Sequence, residues 1–316
     1  MPSAHRPRTA PFSPASHARP QPPPQLGSPH KKHSRRQDRT LRDIHRALHG
    51  SPPAHDPRTH LHLAQQALIN ALAPPSPPTL ALTPGSPSSA RLQEPHLLHW
   101  AHTNHLHLSH EHLPAAFRPP SHLEDDFMEH HVWPHPDGRR ILKLTRIGHF
   151  GMWPSSHGLR WHLHTRHATP LRYLSRLLSA NTHLADDIVL HAIISDSHGR
   201  IQILTSQPHY PGLTPGDIID AAPEHDQPRL RQQQLALIRH ALTTHGFHPT
   251  AHSPSTFYRP TDNLALFDAH FHNLLWQQTS HGPRLIPFDV ILMHPAPQLR
   301  QNLLRPPVPT PSLVIP

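Results

Sequence analysis

Residues 264–292 read LALFDAHFHNLLWQQTSHGPRLIPFDVIL. Leu264–Phe267 is an apolar strand that runs straight into Asp268. Asn273 follows in the spacing D-x-x-x-x-N, and a second apolar run, Leu274–Trp276, makes the whole a strand-loop-strand. Leu274–Gly282 fits a hairpin turning near Thr279–Gly282, and 284–292 is a further strand carrying Asp289 near its end, sixteen residues after Asn273. A carboxylate at 268 can accept or orient a hydroxyl proton. A carboxamide oxygen at 273 and a carboxylate at 289 are hard donors suited to Mg²⁺. Taken singly, Asp and Asn are ordinary turn formers; in this order between strands they are more specific. A metal hydrolase built on Asp268, His270, His272 and Asp289 is a rival use of the segment, but it leaves Lys143 without a role.

HHVWPHPDGRRILKLT (130–145) reads as two short strands about a turn at 136–138. The chain has three lysines, Lys31, Lys32 and Lys143, and only the last lies in an apolar strand, Ile141-Leu142-Lys143-Leu144. Arginine supplies the other cations of this part, so a lone lysine marks a place that needs a compact ammonium, as phosphate binding does. Residues 168–181 predict a helix with Thr169 as N-cap, Pro170 at its first position and an apolar face of Leu171, Leu174, Leu177 and Leu178. That helix has no acidic residue, and Arg172 and Arg176 are expected on its exposed side. Residues 186–195 and 201–206 predict a hairpin about Asp196–Arg200. The longest helix is expected over 228–245, ended by Gly246. Hairpin, helix, hairpin, helix and then acid-bearing strands describe an α+β fold: a small antiparallel sheet lobe plus a more helical lobe.

Composition sets the limits of that fold. Of 43 prolines, 22 fall in residues 1–120 and seven in 295–316, densities that oppose helix interiors and central strands. Residues 1–120 are therefore expected to be a mostly disordered Pro/His-rich basic region holding two short helices. Leu41, Ile44 and Leu48 mark one; Leu61, Ala64, Leu68 and Leu72, after Asp56-Pro57, mark the other. The folded domain is expected over 121–294, with a Pro-rich tail over 295–316. Ten Lys/Arg against two Asp in residues 1–50 give +8 of the net +9, so the positive charge belongs to the tail. KKHSRR (31–36) can hold nucleic acid or another polyanion weakly. With no aromatic residue interleaved, it reads more simply as a solvated basic tail.

The 38 histidines include the cluster His105, His107, His110 and His112, yet they run throughout the chain and read as a composition bias rather than a metal centre. The absence of cysteine excludes a disulfide scaffold, zinc-thiolate sites and a cysteine nucleophile. No apolar run is long enough to span a membrane, and no apolar core follows the first basic residues as a secretion signal requires. The expected setting is cytoplasmic, with no membrane partner.

From these residues a resemblance emerges. Glu129-His-His-Val-Trp133, Gly138–Thr145 around Lys143, Thr169–Leu174, Leu204-Thr-Ser-Gln-Pro208, Phe267–Asn273 and Ile286–Ile291 together resemble the serine/threonine/tyrosine kinase-like domain of polyvalent proteins from phages and bacterial mobile elements. The likeness covers roughly residues 123–293, and the D-x-x-x-x-N matches the second half of the kinase catalytic loop. It implies a protein-kinase-like fold, ATP and Mg²⁺ as cofactors, and a protein or small-molecule hydroxyl as phosphate acceptor. By the same resemblance Lys143 grips the α/β-phosphates, Asp268 is the catalytic base, Asn273 and Asp289 hold magnesium, and Thr205, Ser206, Gln207 and Pro208 lie in the hinge beside adenine. Three features depart from the family: Glu124–Val132 has no glycine, the helix at 168–181 offers no glutamate to Lys143, and Leu266 stands where a histidine is usual. The alternative they raise is a weak or inactive pseudokinase that binds nucleotide. Glu129, Asp186 and Asp187 are the candidates to replace the helix glutamate.

Overall fold

The computed structural model describes residues 57–72, 87–113, 129–135, 138–155, 164–251, 253–280 and 282–304. The basic KKHSRR segment and the helix expected over 41–48 lie outside them. The chain runs through α1 (His60–Leu72), α2 (Pro87–Thr103), β1 (His107–Ser109), β2 (His130–Pro134), β3 (Arg140–Thr145), β4 (Met152–Ser155), β5 (His164–His167), α3 (Pro170–Leu184), β6 (Val189–Ser195) and β7 (Ile201–Pro208). It continues through α4 (Pro215–Asp220), α5 (Gln227–Thr244), β8 (His248–Pro249), β9 (Phe257–Arg259), β10 (Leu264–Phe267), β11 (Leu274–Thr279), β12 (Gly282–Pro287), β13 (Ile291–Met293) and α6 (Pro297–Leu303). The result is a mixed α+β fold with several small sheets and, among the described residues, six α-helices.

The largest sheet has the order β1-β6-β7-β3-β2, antiparallel except where β1 lies parallel to β6. Directly paired residues share a face. Leu142, Leu144 and Leu204 therefore project to one side with Leu108, Leu113, Ala192 and Ile194. Ile193, Ile201 and Ile203 face the other side, against α1, α2 and α3. The β6/β7 hairpin closes through Asp196, whose Oδ1 accepts from the amides of His198 and Arg200 at 2.8 and 2.9 Å. Helix α3 starts as its sequence dictates, with Thr169 Oγ1 accepting from the Arg172 amide and Pro170 in the first turn; it ends at Ala185 in the left-handed region, φ 55°.

A second sheet, β13-β10-β9-β8, packs Phe257, Leu264 and Leu266 against Ile238 and Leu242 of α5. Its opposite face carries Tyr258, Ala265 and Phe267 against Leu299 and Leu303 of α6. Leu184 packs on the cores of both sheets, as does Trp153 from β4, so the two halves share hydrophobic contact.

Three boundaries differ from expectation. Residues 57–72 and 87–113, assigned by composition to the N-terminal region, instead contribute fully buried Leu61, Ala64, Leu68, Leu97 and Leu106 to the main core, and β1 extends its sheet. The physical reason is that their apolar stripe, too narrow to stand alone, finds a partner in α3. The tail expected from 295 begins with α6, a seven-residue helix whose Leu299 and Leu303 are buried. The strand expected over 284–292 is two strands, β12 and β13, which join different partners and break at Phe288-Asp289-Val290. No helix among the described residues is long and apolar enough to cross a membrane.

Candidate functional site

The β11/β12 hairpin sets the site. Leu274 pairs with Pro287 and Thr279 with Gly282, as the turn residues predict, and the Phe288 amide donates to the Asn273 carbonyl at 3.1 Å. This closes the base of the hairpin with Asn273 entering it and Asp289 leaving it. Asp268, at the end of β10, has φ 62°, a left-handed conformation that costs a non-glycine residue about 1–2 kcal/mol. Asn273 Nδ2 holds this turn, donating to the Asp268 carbonyl at 3.0 Å and to its Oδ2 at 2.9 Å. His270 Nε2 lies 3.3 Å from Asp268 Oδ1, and that hydrogen bond raises the imidazole above its ordinary value. Asp268, Asn273 and Asp289 all line one cavity of about 520 Å³, whose opposite wall includes Glu129, His130 and Val132.

Lys143 arrives from the sheet. It pairs with Val132 on β2 and Thr205 on β7, is 9% exposed, and reaches Asp289 with its Nζ 3.4 Å from Oδ1. The same Oδ1 accepts from Arg176 Nη2 at 2.9 Å. Burial alone would raise the Asp289 carboxyl, but the Lys143 and Arg176 charges reverse this and hold it well below the usual carboxylate range. Of the four residues expected to gather, Asp268, Asn273 and Asp289 line the cavity, while Lys143 is not among its lining residues and touches that wall through Asp289.

The expected hinge residues are not part of that cavity. Thr205 and Gln207 share the Lys143 face of the sheet but are buried, and Gln207 Nε2 has no hydrogen-bond partner. Ser206 and Pro208 lie on the opposite face, where Ser206 Oγ accepts from Arg140 Nε at 2.9 Å and meets His191 Nε2 at 2.8 Å. Behind this strand, Tyr210 donates to the buried Asp186 at 2.6 Å. Burial pushes the Asp186 carboxyl up to about 6, with the Tyr210 hydrogen bond pulling the other way.

Arg176 corrects the sequence reading most directly. It was expected on the exposed side of the helix; it is 6% exposed and faces Glu129 and Asp289. Tyr173, Arg176, Leu177 and Ala180 form the buried face of α3, at the i, i+3, i+4, i+7 spacing. A charged residue on that face is the signal that pointed inward. Burial works against the guanidinium's charge, and the two carboxylates more than restore it, lifting its pKa. His130, buried beside them and bonded to Tyr173 Oη at 2.9 Å, is lowered to about 4 by burial and stays neutral near pH 7. Of the histidine cluster, His107 bonds Ser195 Oγ at 2.9 Å. Among the described residues no group of three or more His, Asp or Glu side chains is placed to hold a metal.

Comparison of the chain with protein-family models, with curated proteins and with solved structures gave no match.

Proposed function

We propose that this chain is an ATP-dependent phosphotransferase with a protein-kinase-like, two-lobe fold, carrying the γ-phosphate to a hydroxyl of a protein or small molecule. One observation supports the reading: two carboxylates and a carboxamide, Asp268, Asp289 and Asn273, line one cavity, and the Lys143 ammonium, which is not among its lining residues, lies against Asp289. In this reading the five-stranded sheet with the helices packed on it is one lobe, and the part from α4 onward is the other.

Magnesium fits the donors present. Asn273 uses its amide nitrogen on Asp268, which leaves its side-chain oxygen for a cation, and Asp289 engages Lys143 and Arg176 through Oδ1, which leaves Oδ2. Two protein oxygens are what Mg²⁺ commonly takes beside phosphates and waters. When bound it supplies neutralisation of phosphate charge. Lys143 contributes a fixed ammonium to the phosphate oxygens. Asp268, oriented by Asn273 and its own backbone turn, accepts or directs the acceptor's hydroxyl proton. Catalysis is then positioning and electrostatics rather than covalent chemistry on the protein.

The test is transfer from γ-labelled ATP, with purified protein and with a bacterial lysate as acceptor source. Asp268→Ala and Asp289→Ala are each expected to reduce labelling by about 10³-fold or more if the residues act as a unit. Undiminished labelling in either excludes the assignment. A non-catalytic nucleotide-binding module is the second reading. It is favoured by the double hold on Asp289 Oδ1 and by the absence of glycine from Glu124–Val132. A thermal-shift titration with ATP and magnesium that shows binding, without transfer in the labelling assay, selects it. The cytoplasmic, mobile-element setting belongs to the same proposal.

A further inference from the structure

Arg176 is held from one side and open to exchange on the other. Its Nε donates to the Val290 carbonyl at 3.3 Å and its Nη2 to Asp289 Oδ1 at 2.9 Å, so the Asp289–Val290 segment fixes the guanidinium plane. The remaining nitrogen, Nη1, donates to both oxygens of Glu129, at 2.8 and 2.9 Å. Glu129 has one guanidinium edge as its principal partner, with His130 Nε2 3.4 Å away, and it is 24% exposed where Arg176 is 6% exposed. Its carboxylate fills the space above Gly151: a Cβ built there would lie 2.2 Å from the Glu129 carboxyl carbon. Gly151 itself has φ 74°, so the position is glycine for two reasons, its backbone conformation and the room it leaves. Both Glu129 and Arg176 line the cavity that holds Asp268 and Asn273.

Two cations, Lys143 and Arg176, face two acids, Glu129 and Asp289. A polyanion entering such a balanced group gains little unless one acid leaves. Asp289 is gripped by both cations, whereas Glu129 is gripped chiefly by one. A guanidinium donates to carboxylate and to phosphate oxygens in the same way.

We propose that the Nη1 edge of Arg176 is a phosphate seat and that Glu129 is its tethered occupant, displaced when the phosphate chain of a ligand enters the cavity. The choice of a phosphate chain as ligand rests on the nucleotide reading above. A competitor of this kind lowers apparent affinity by the fraction of time the seat is free; an occupant present about nine-tenths of the time costs roughly tenfold.

The experiment is calorimetric titration of the full chain with inorganic tripolyphosphate, without divalent metal, at fixed ionic strength. In Glu129→Gln the side-chain oxygen still accepts from Nη1 while the charge is gone, and binding is expected to tighten about tenfold. Adding Arg176→Gln to that variant is expected to abolish the gain. Binding no tighter in Glu129→Gln than in the wild type overturns the proposal, and so does a gain that survives the loss of Arg176, because simple loss of negative charge would then explain it. If Glu129→Gln does not fold, Glu129→Asp draws the carboxylate back with its charge intact; the same gain is expected there, and its absence is equally fatal. Transfer from γ-labelled ATP is measured on the same preparations. Tighter tripolyphosphate binding with no transfer keeps the seat and removes the kinase reading; transfer with no tightening does the reverse.

Discussion

Replacing Arg176 with methionine asks how much of the fold this one buried cation holds. Methionine keeps most of the side-chain volume but removes donors to Glu129, Asp289 and the Val290 carbonyl. Removing one partner of a buried ion pair typically costs about 3–5 kcal/mol, because the other charges stay behind uncompensated. Glu129 and Asp289 are 24% and 33% exposed, so water recovers part of that loss and Lys143 still partners Asp289. The expected loss is therefore near the lower end, about 3 kcal/mol at pH 7. The pH dependence carries a sign. Asp289 has a folded value held below its unfolded one, so its contribution is present above about pH 4 and is lost as pH falls through that value toward the depressed one. The variant has less of this contribution to lose, so the two stability curves should converge on acidification. Urea unfolding followed by tryptophan fluorescence from pH 3 to 8 measures both. A difference below about 1 kcal/mol at pH 7 refutes the energetic argument. Both curves fall together as the unfolded carboxyl protonates, and because Lys143 still holds Asp289 in the variant they converge only once pH drops below the variant's own folded value.

Leu68→Ala tests whether residues 57–72 are integral to the fold: the side chain is fully buried, and truncation is expected to cost about 2–5 kcal/mol in one cooperative urea transition. A cost near zero would return the segment to the N-terminal region. Tyr210→Phe removes the donor to Asp186, whose folded pKa of about 6 lies above its unfolded value. Stability linked to Asp186 protonation is full below about pH 4 and is lost as pH rises through 6, and without Tyr210 the folded value climbs further. The variant's deficit should therefore be larger at pH 8 than at pH 5, by roughly 1–2 kcal/mol; equal deficits at the two values would show that Asp186 does not ionise in the folded protein.

The elements legible in the sequence were those specified by neighbours in the chain. Thr169-Pro170 starts α3, Asp196–Arg200 turns β6 into β7, and the turn near 279–282 sets the hairpin that joins Asn273 to Asp289. Each rests on a cap or turn whose chemistry lies within a few residues. What stayed hidden depends on distant partners. The stripe of Leu61, Ala64 and Leu68 could be read from the sequence, but its partners could not: α2 lies close in the chain, and α3 packs on it from more than a hundred residues later. The helix Pro297–Leu303 was masked by the proline density around it, although proline is well tolerated in a first turn. Arg176 looked solvent-facing because its partners, Glu129 and Asp289, lie 47 and 113 residues away. The four-residue constellation could be ordered along the chain, but its hinge could not be checked that way. β-strand alternation turns Ser206 and Pro208 away from Lys143, and the register is a property of the assembled sheet.

The polarity of the site has a consequence for the proposed reading. Glu129, Asp186 and Asp187 were the acids expected to partner Lys143 in place of a helix glutamate; they pair instead with Arg176, Tyr210 and Arg140, and the carboxylate within ion-pair distance of Lys143 among the described residues is Asp289. Asp289 is also the group proposed to take magnesium. A metal drawn to Asp289 weakens its hold on Lys143 and Arg176, and both cations then need new anions. A phosphate chain supplies them, while phosphate arriving alone must compete with Glu129 and Asp289 for the same two cations. In the proposed reading metal and phosphate would each bind more tightly in the other's presence, a preference that linkage makes reciprocal.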